Sequence, residues 1–276
     1  MHNPYQPEPA KIVSISRQTS SVKLFRFEFA QNIPGWKFSY QPGQFVELSL
    51  PGFGEAPFAP CGGIKEKYIE LCVRNVGKLT ARLHAMKVGD RVAVRGPYGN
   101  GAWPAGKYDF KVQKNLFIAV GGLGLAPLRS LLLGKNYFLG KDTKVQIFYG
   151  ARNPQEMLFR HEYENWKKLK IKMELTIDKE HAGWKGHTGL VTTLFDKCDV
   201  LQNSVAFLVG PPVMYKPVLE RLKKLGFADE DIYLSLERRM HCAVGACQHC
   251  AVGSYYTCKD GPVFSWAQIK NIPDAI

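Results

Sequence analysis

Apolar and polar residues alternate along Lys11–Ser16 and Val22–Phe29, the two-residue rhythm of strands with one buried face. Gln31–Gly35 interrupts that rhythm, which resumes in Gln44–Leu50, Tyr68–Arg74 and Asp90–Arg95. Turn signals punctuate these runs: Pro42-Gly43, Pro51-Gly52, Gly62-Gly63 and Gly96-Pro97. Short strands at this spacing predict a small antiparallel β-barrel or a sandwich over the first hundred or so residues. One helix interrupts them, because Leu79, Leu83 and Met86 fall at helical spacing after Gly77.

From Asn115 the pattern changes. Leu116–Val120 is a continuous apolar run, as in a parallel strand covered on both faces. A glycine-rich turn follows, then a helix through Leu128, Leu131 and Leu132. Lys144–Tyr149, Lys172–Ile177 and Val205–Val209 read as further strands, with helices around His161–Leu169 and over Val213–Leu225, the latter stopped by Gly226. Strands alternating with helices predict βαβ units in an open parallel sheet. The breakers Gly101, Pro104 and Gly106 place the boundary near residues 100–114, and after about residue 236 regular patterning gives way to a cysteine-rich segment. The expected division is an antiparallel β-barrel over 1–108, an α/β domain over 109–232 and a small cluster-binding segment over 233–276. Residues 115–133 are apolar enough to suggest a membrane span, but their glycines, Pro127 and Arg129 suit a strand–turn–helix better.

A length of 276 residues is too great for one ordinary core and agrees with this division. The net charge of +13 comes from scattered lysines such as Lys65, Lys67, Lys167, Lys168, Lys223 and Lys224, with no aromatic-rich basic block. That distribution describes a solvated basic surface, with attraction to phosphorylated cofactors or an acidic partner as a secondary role, and no nucleic acid is expected. The start, Met1–Tyr5, lacks a basic stretch leading into an apolar run, so a cytoplasmic protein without a membrane span is expected.

Four of the seven cysteines crowd near the end of the chain: Cys242, Cys247, Cys250 and Cys258, in the order C-x4-C-x2-C-x7-C. Thiolates are the ligands iron–sulfur clusters require, and this order is the plant-type [2Fe–2S] spacing. Small residues between them (Ala243, Gly245, Ala246, Ala251) let the backbone fold closely round inorganic sulfide. The alternative is a four-cysteine zinc site, which ordinarily shows two separated C-x2–4-C pairs. His241 and His249 are read as outer neighbours, and Cys61, Cys72 and Cys198 as small buried hydrophobes.

Gly121, Gly122, Gly124, Leu125, Ala126 and Pro127 lie between a buried strand and a helix. Such a turn can bring backbone N–H groups to a pyrophosphate, or it can simply pack tightly. Gly210, Pro211 and Met214 form a second strand-to-helix crossing on the same sheet edge. Gly150 and Arg152 end a strand where an adenosine ribose is expected. Arg152 replaces the acidic residue often found in a dedicated NAD site, and would face a 2′-phosphate or stack on adenine, so NAD and NADP both stay open.

With these features together, the chain resembles the ferredoxin–NADP reductase superfamily over nearly its whole length. Within it, the tail from Leu234 through Glu237, Arg238, Arg239, Met240 and Cys242, and again Cys258–Phe264, is similar to iron–sulfur-bearing electron-transfer subunits. These are the γ (diaphorase) subunits of cytoplasmic NiFe hydrogenases, or sulfhydrogenases, and the B subunit of anaerobic sulfite reductase. The electron-transfer subunit of dihydroorotate dehydrogenase is also similar. The ending Ile272–Ile276 resembles the hydrogenase subunits most. The resemblance implies FAD in the barrel, held by Pro57, Phe58, Ala59, Pro60 and Cys61 and by a second loop with Arg74, Val76, Gly77, Leu79 and Thr80. Two departures stand out: Glu55 or Ala56 occupies the place of an expected arginine, and Pro60-Cys61 replaces a serine-containing turn, which leaves FMN as an alternative flavin. The expected function is electron transfer among NAD(P)H, flavin and a [2Fe–2S] cluster, with no catalytic acid or base and with NiFe hydrogenase subunits as partners; the alternatives within this class are the corresponding subunits of anaerobic sulfite reductase and of dihydroorotate dehydrogenase. A basic, zinc-stabilised nucleic-acid-binding protein is the alternative from another class, and a yellow-brown colour of the purified chain would exclude it.

Overall fold

The computed structural model describes residues 3–29, 38–64, 68–101, 103, 115–140 and 142–276. The expected break at Gln31–Gly35, the lysines at 65 and 67, and Pro104 and Gly106 of the expected boundary lie outside them. The chain divides into two compact units, one of residues 1–102, 126–133 and 237–262, the other of residues 103–125, 134–236 and 263–276.

The first unit is built on six antiparallel strands: β1 (Glu8–Arg17), β2 (Val22–Phe29), β3 (Phe45–Leu50), β4 (Gly54–Phe58), β5 (Tyr68–Arg74) and β6 (Arg91–Tyr98). Their order is β4-β3-β6-β1-β2-β5. An antiparallel bridge from Pro60, just past β4, to Leu71 of β5 joins the two ends, which makes the sheet a barrel and not a sandwich. β4 is not evident from periodicity because Gly54 and Pro57 sit within it, and such residues are tolerated beside a sheet edge. Inward residues from every other strand position, including Ile12, Phe25, Phe27, Val46, Leu48, Leu71 and Val94, fill the interior. Helix α1 (Lys78–Ala85) buries Leu79 and Leu83 against the same core.

The second unit holds a seven-stranded sheet in the order β10-β9-β8-β7-β11-β12-β15. Its strands are β7 (Asn115–Gly121), β8 (Val145–Ala151), β9 (Ile171–Ile177), β10 (His187–Thr188), β11 (Ser204–Val209), β12 (Ile232–Ser235) and β15 (Val263–Ser265). All neighbours are parallel except β12 and β15. The chain leaves β7 to build β8, β9 and β10 on one side, then crosses back to lay β11 and β12 on the other. The order therefore reverses between β7 and β11, where an open α/β sheet leaves a crevice at its carboxyl edge. α6 (Pro212–Lys224) is the expected helix before Gly226, and the helix expected over His161–Leu169 is α4 (Tyr163–Lys168) after a short 3-10 turn. Among the described residues no helix is long and apolar enough to cross a membrane. The apolar stretch from Asn115 is strand β7, a 3-10 turn and helix α2 (Leu125–Leu133).

Residues 126–133 of α2 belong with the barrel, and Arg129 shows why. Its Nη1 donates to Glu70 Oε2 at 2.6 Å and to the Cys61 carbonyl at 2.7 Å, and Glu70 also accepts from Arg26 at 2.9 Å. Arg129 and Glu70 are both buried, so each charge depends on the other for its solvation. Arg129→Met is expected to cost about 3 kcal/mol, at the low end for a broken buried pair because Arg26 still serves Glu70. Urea unfolding of the two proteins checks this, and coincident midpoints would refute it.

Candidate functional site

Three groups of residues singled out in the sequence come to defined places. The first lies at the carboxyl edge of the parallel sheet. Gly121 ends β7 and Gly150 lies near the end of β8, and the two pair directly, while Val120 pairs with Val209 of β11 on the other side. Gly121–Gly124 and Gly210–Pro211 thus flank the reversal point from adjacent strands. Leu125 and Ala126, both buried, start α2, and Pro127 sits in its first turn. A Cβ on Gly124 would come within 2.4 Å of the Val209 carbonyl oxygen, so packing between the crossings demands glycine there. Met214 is buried, with its Sδ and Cε against Gly121 and Gly210. Arg152 is exposed, one residue beyond β8.

The second group lies on the barrel. The Pro60–Leu71 bridge runs the 57–61 stretch alongside β5, which ends in Arg74, and α1 packs near β4. Pro57, Phe58 and Ala59 are partly exposed, whereas Pro60 and Cys61 are buried. The Cys61 Sγ donates to the Glu70 carbonyl at 3.3 Å, and burial pushes its thiol up to about 12, so this cysteine is inert. Thr80 caps α1: its Oγ1 accepts from the N–H groups of Val76 (3.0 Å) and Gly77 (2.9 Å). Val76 and Gly77 are exposed at this turn, and Leu79 anchors the helix in the core.

The third group is the cysteine loop. Ala243, Gly245 and Gln248 all have left-handed backbone angles, φ of 65°, 80° and 63°. Left-handed residues interspersed with right-handed ones turn successive N–H groups inward into an anion-binding concavity. Here the N–H groups of Val244, Ala246 and Cys247 point to Cys242 Sγ at 3.5, 3.3 and 3.4 Å, and that of Gly245 to Cys258 Sγ at 3.2 Å. The Cys247 thiol is brought down to about 7, chiefly by the His249 backbone and then by Cys242. Cys258 is pushed up to about 12 by burial and by Cys250. Thiolate ligation therefore costs less at Cys247 than at Cys258. Cys250 and Cys258 pack with Phe45, Tyr98, Met240 and Tyr256, and the hairpin β13 (Ala251–Val252) and β14 (Tyr255–Tyr256) joins them. His241 and His249 are exposed and stack edge to face at 4.5 Å.

What sequence reasoning missed is the support of this loop. Arg95, buried on β6, donates to the carbonyls of Cys242 (2.8 Å) and His241 (3.0 Å), to Tyr98 Oη (3.1 Å) and to both carboxylate oxygens of Glu55. Glu55, one of the two residues at the place of the expected arginine, is thus the counter-ion of the group that holds the Cys242 carbonyl. No local motif marks this pairing. Glu47, on β3 opposite Arg95 and Pro57, is 1% exposed, and among the described residues its Oε1 has no hydrogen-bond partner. Burial and then the Glu55 charge push its carboxyl up to about 8, against the opposing pull of Arg95.

Three family models cover the chain in sequence: an oxidoreductase FAD-binding domain over residues 9–103, an oxidoreductase NAD-binding domain over 117–220, and the iron–sulfur cluster binding domain of dihydroorotate dehydrogenase B over 237–270. The four cysteines fall in the last of these, and the barrel and the sheet reversal point fall in the first two. The fold and site define a flavin- and iron–sulfur-dependent oxidoreductase of electron-transfer type, with FAD, an iron–sulfur cluster and NAD(P) as cofactors. The chain is 41% identical to sulfhydrogenase 2 subunit gamma and 37% identical to sulfhydrogenase 1 subunit gamma, both of Pyrococcus furiosus. It aligns over 96% and 98% of its own length and over 96% and 94% of theirs. It belongs to the family of these γ subunits. A solved NADH-dependent reduced ferredoxin–NADP oxidoreductase shares the fold, with a TM-score of 0.74 over 95% of this chain and 91% of its own, at 24% identity.

Glu47 gives a pH-dependent prediction. A carboxyl that ionises near 4.5 when unfolded but near 8 when folded binds more protons in the native state between those values. Its contribution to stability is therefore intact below about pH 4.5 and is progressively lost as pH rises toward 8. Glu47→Gln, which cannot ionise, should gain about 2–4 kcal/mol on wild type between pH 5 and pH 8. Urea melts at the two pH values measure the gap, and a gap that does not change with pH would show that Glu47 is not held protonated.

Proposed function

We propose that the chain is the NAD(P)H-facing electron-transfer subunit of a cytoplasmic complex whose catalytic subunits are those of a NiFe hydrogenase. The observation that carries this reading is the 41% identity to a sulfhydrogenase γ subunit over 96% of both chains. No disulfide joins any two of the seven cysteines, which agrees with a reducing compartment.

In this reading Cys242 and Cys247 hold one iron of a [2Fe–2S] cluster and Cys250 with Cys258 holds the other. The C-x4-C-x2-C-x7-C order supports it, since a zinc site ordinarily shows two separated C-x2–4-C pairs. The inward N–H groups of residues 244–247 stabilise negative charge on the sulfurs. The nicotinamide nucleotide lies across the β7–β11 crevice, its pyrophosphate near Gly121, Gly122, Gly124, Leu125, Ala126 and Pro127, with Gly210, Pro211 and Met214 on the other side. Gly150 and Arg152 face the adenosine ribose. FAD lies against Pro57–Cys61 and the turn from Arg74 through Val76, Gly77, Leu79 and Thr80. Cys61 contributes only backbone, because its side chain is fully buried. A bound flavin supplies the exchange between two-electron hydride chemistry and one-electron iron chemistry. The protein's own part is positioning and exclusion of water, and no side-chain acid or base is assigned. A second reading, electron transfer to a dihydroorotate dehydrogenase, is favoured by the family model matched over 237–270.

Mixing the holoprotein with hydrogenase catalytic subunits should give hydrogen-driven reduction of NAD(P)+. Reduction driven by dihydroorotate in a mixture with that dehydrogenase's catalytic subunit, and not by hydrogen, would favour the second reading. Cys247→Ser should lose iron and acid-labile sulfide while NADH or NADPH still bleaches its flavin; a full complement of iron in the variant would refute the ligand assignment. Arg152→Ala should weaken NADPH by about ten- to a hundredfold and leave NADH nearly unchanged if the guanidinium holds a 2′-phosphate. Equal losses for the two nucleotides in steady-state diaphorase assays would point to adenine stacking instead.

A further inference from the structure

Cys198 is not the buried hydrophobe its isolation in the sequence suggests. It is partly exposed at the C-terminal end of α5 (Leu194–Lys197), and it meets two other potential ligands there. Glu174 lies in the middle of β9. His187 opens the edge strand β10 and pairs with Thr176, so Glu174, two residues back along β9, lies on the same sheet face. The His187 Nε2 is 3.5 Å from Cys198 Sγ and 3.6 Å from Glu174 Oε2. All three ligand atoms lie within 4.8 Å of one another. Lys172 takes the other carboxylate oxygen, Oε1, at 2.9 Å, which leaves Oε2 turned toward the imidazole.

The geometry points to a zinc site formed by Cys198, His187 and Glu174, with a fourth position open to solvent. Zinc bonds of about 2.3 Å to sulfur and about 2.0–2.1 Å to nitrogen or oxygen, at tetrahedral angles, give ligand separations of about 3.5 Å for S···N and about 3.3–3.4 Å for N···O. The separations present match the first and exceed the second by a few tenths of an ångström. One thiolate, one imidazole and one carboxylate form a mixed soft and hard set that suits zinc better than calcium or magnesium, which take oxygen ligands. Binding requires the thiol proton to leave, so Cys198–SH and Zn2+ give Cys198–S–Zn and one released proton. The thiolate and carboxylate then balance the two charges of the metal. Burial, the Glu174 charge and its hydrogen bond all hold the thiol proton on more tightly than usual, so the metal must displace it. The site draws together β9, the two-residue edge strand β10 and the end of α5. An edge strand that short has few ladder hydrogen bonds of its own, and a metal bridging it to β9 would hold it in register.

The test uses the holoprotein, so that iron already occupies the four clustered cysteines. It is incubated with zinc chloride and desalted, then zinc and iron per chain are measured, and the zinc environment is read by X-ray absorption. The expected result is about one zinc per chain with iron unchanged, and one sulfur at about 2.3 Å with nitrogen or oxygen at about 2.0–2.1 Å. Cys198→Ser and His187→Ala should each lose the zinc and keep the iron. Absence of retained zinc in wild type would leave only a hydrogen-bonded triad and overturn the proposal. Zinc retained equally by Cys198→Ser, or an all-sulfur shell, would overturn it as well.

Discussion

Arg95 directs all five of its guanidinium N–H donors to fixed partners, and the iron–sulfur end of the molecule depends on that arrangement. Its Nε and Nη2 engage the Glu55 carboxylate, while Nη1 and Nη2 reach the carbonyls of Cys242 and His241 and Nη1 also reaches Tyr98. A cation this deeply buried is tolerable only when fully paired. The pairing in turn fixes the backbone at the first cluster cysteine relative to the barrel strand. Phe45 and Tyr98 then pack on Cys250 and Cys258, so both ends of the cysteine loop rest on the same barrel. Electron transfer falls steeply with distance and needs no moving parts, so a rigid mount for the cluster is what the chemistry asks of the protein.

Glu47 fits the same picture from the other side. It sits on the strand beside Arg95 and would, if ionised, compete with Glu55 for the one guanidinium available. Burial first, and then the Glu55 charge, make the protonated state of Glu47 the less costly one against the pull of Arg95. The Arg129–Glu70–Arg26 group works differently, since its one acidic side chain is shared between two cations.

At the nucleotide end, the glycines serve the protein's own packing as well as any ligand. Gly124 is required by the backbone of Val209 before a nucleotide enters the argument, and Met214 fills the space beside Gly121 and Gly210. These close approaches keep the two crossings together at the point where the strand order reverses. The crevice is therefore a consequence of topology.

Much was legible in the chain itself. Alternation marked β1, β2, β3, β5 and β6, the continuous apolar run marked β7, and the cysteine spacing marked the cluster loop, because each depends on residues close together in sequence. Period and spacing are local properties, so they survive without the fold. The closure of the barrel through Pro60 and Leu71 was not readable, nor was β4 with its Gly54 and Pro57. Arg95 meets Cys242 across 147 positions and Arg129 meets Glu70 across 59, and neither arginine carries a sign of its partner in its neighbours. Cys198, read alone, is a small apolar residue; only the parallel pairing of β10 with β9 sets it beside His187 and Glu174. Local pattern was enough to mark most of the strands and the cysteine-rich segment that matches an iron–sulfur cluster binding domain. The tertiary structure decided which buried charges meet, which acid keeps its proton and which lone cysteine gains neighbours, because those outcomes depend on distances in space that no local pattern encodes.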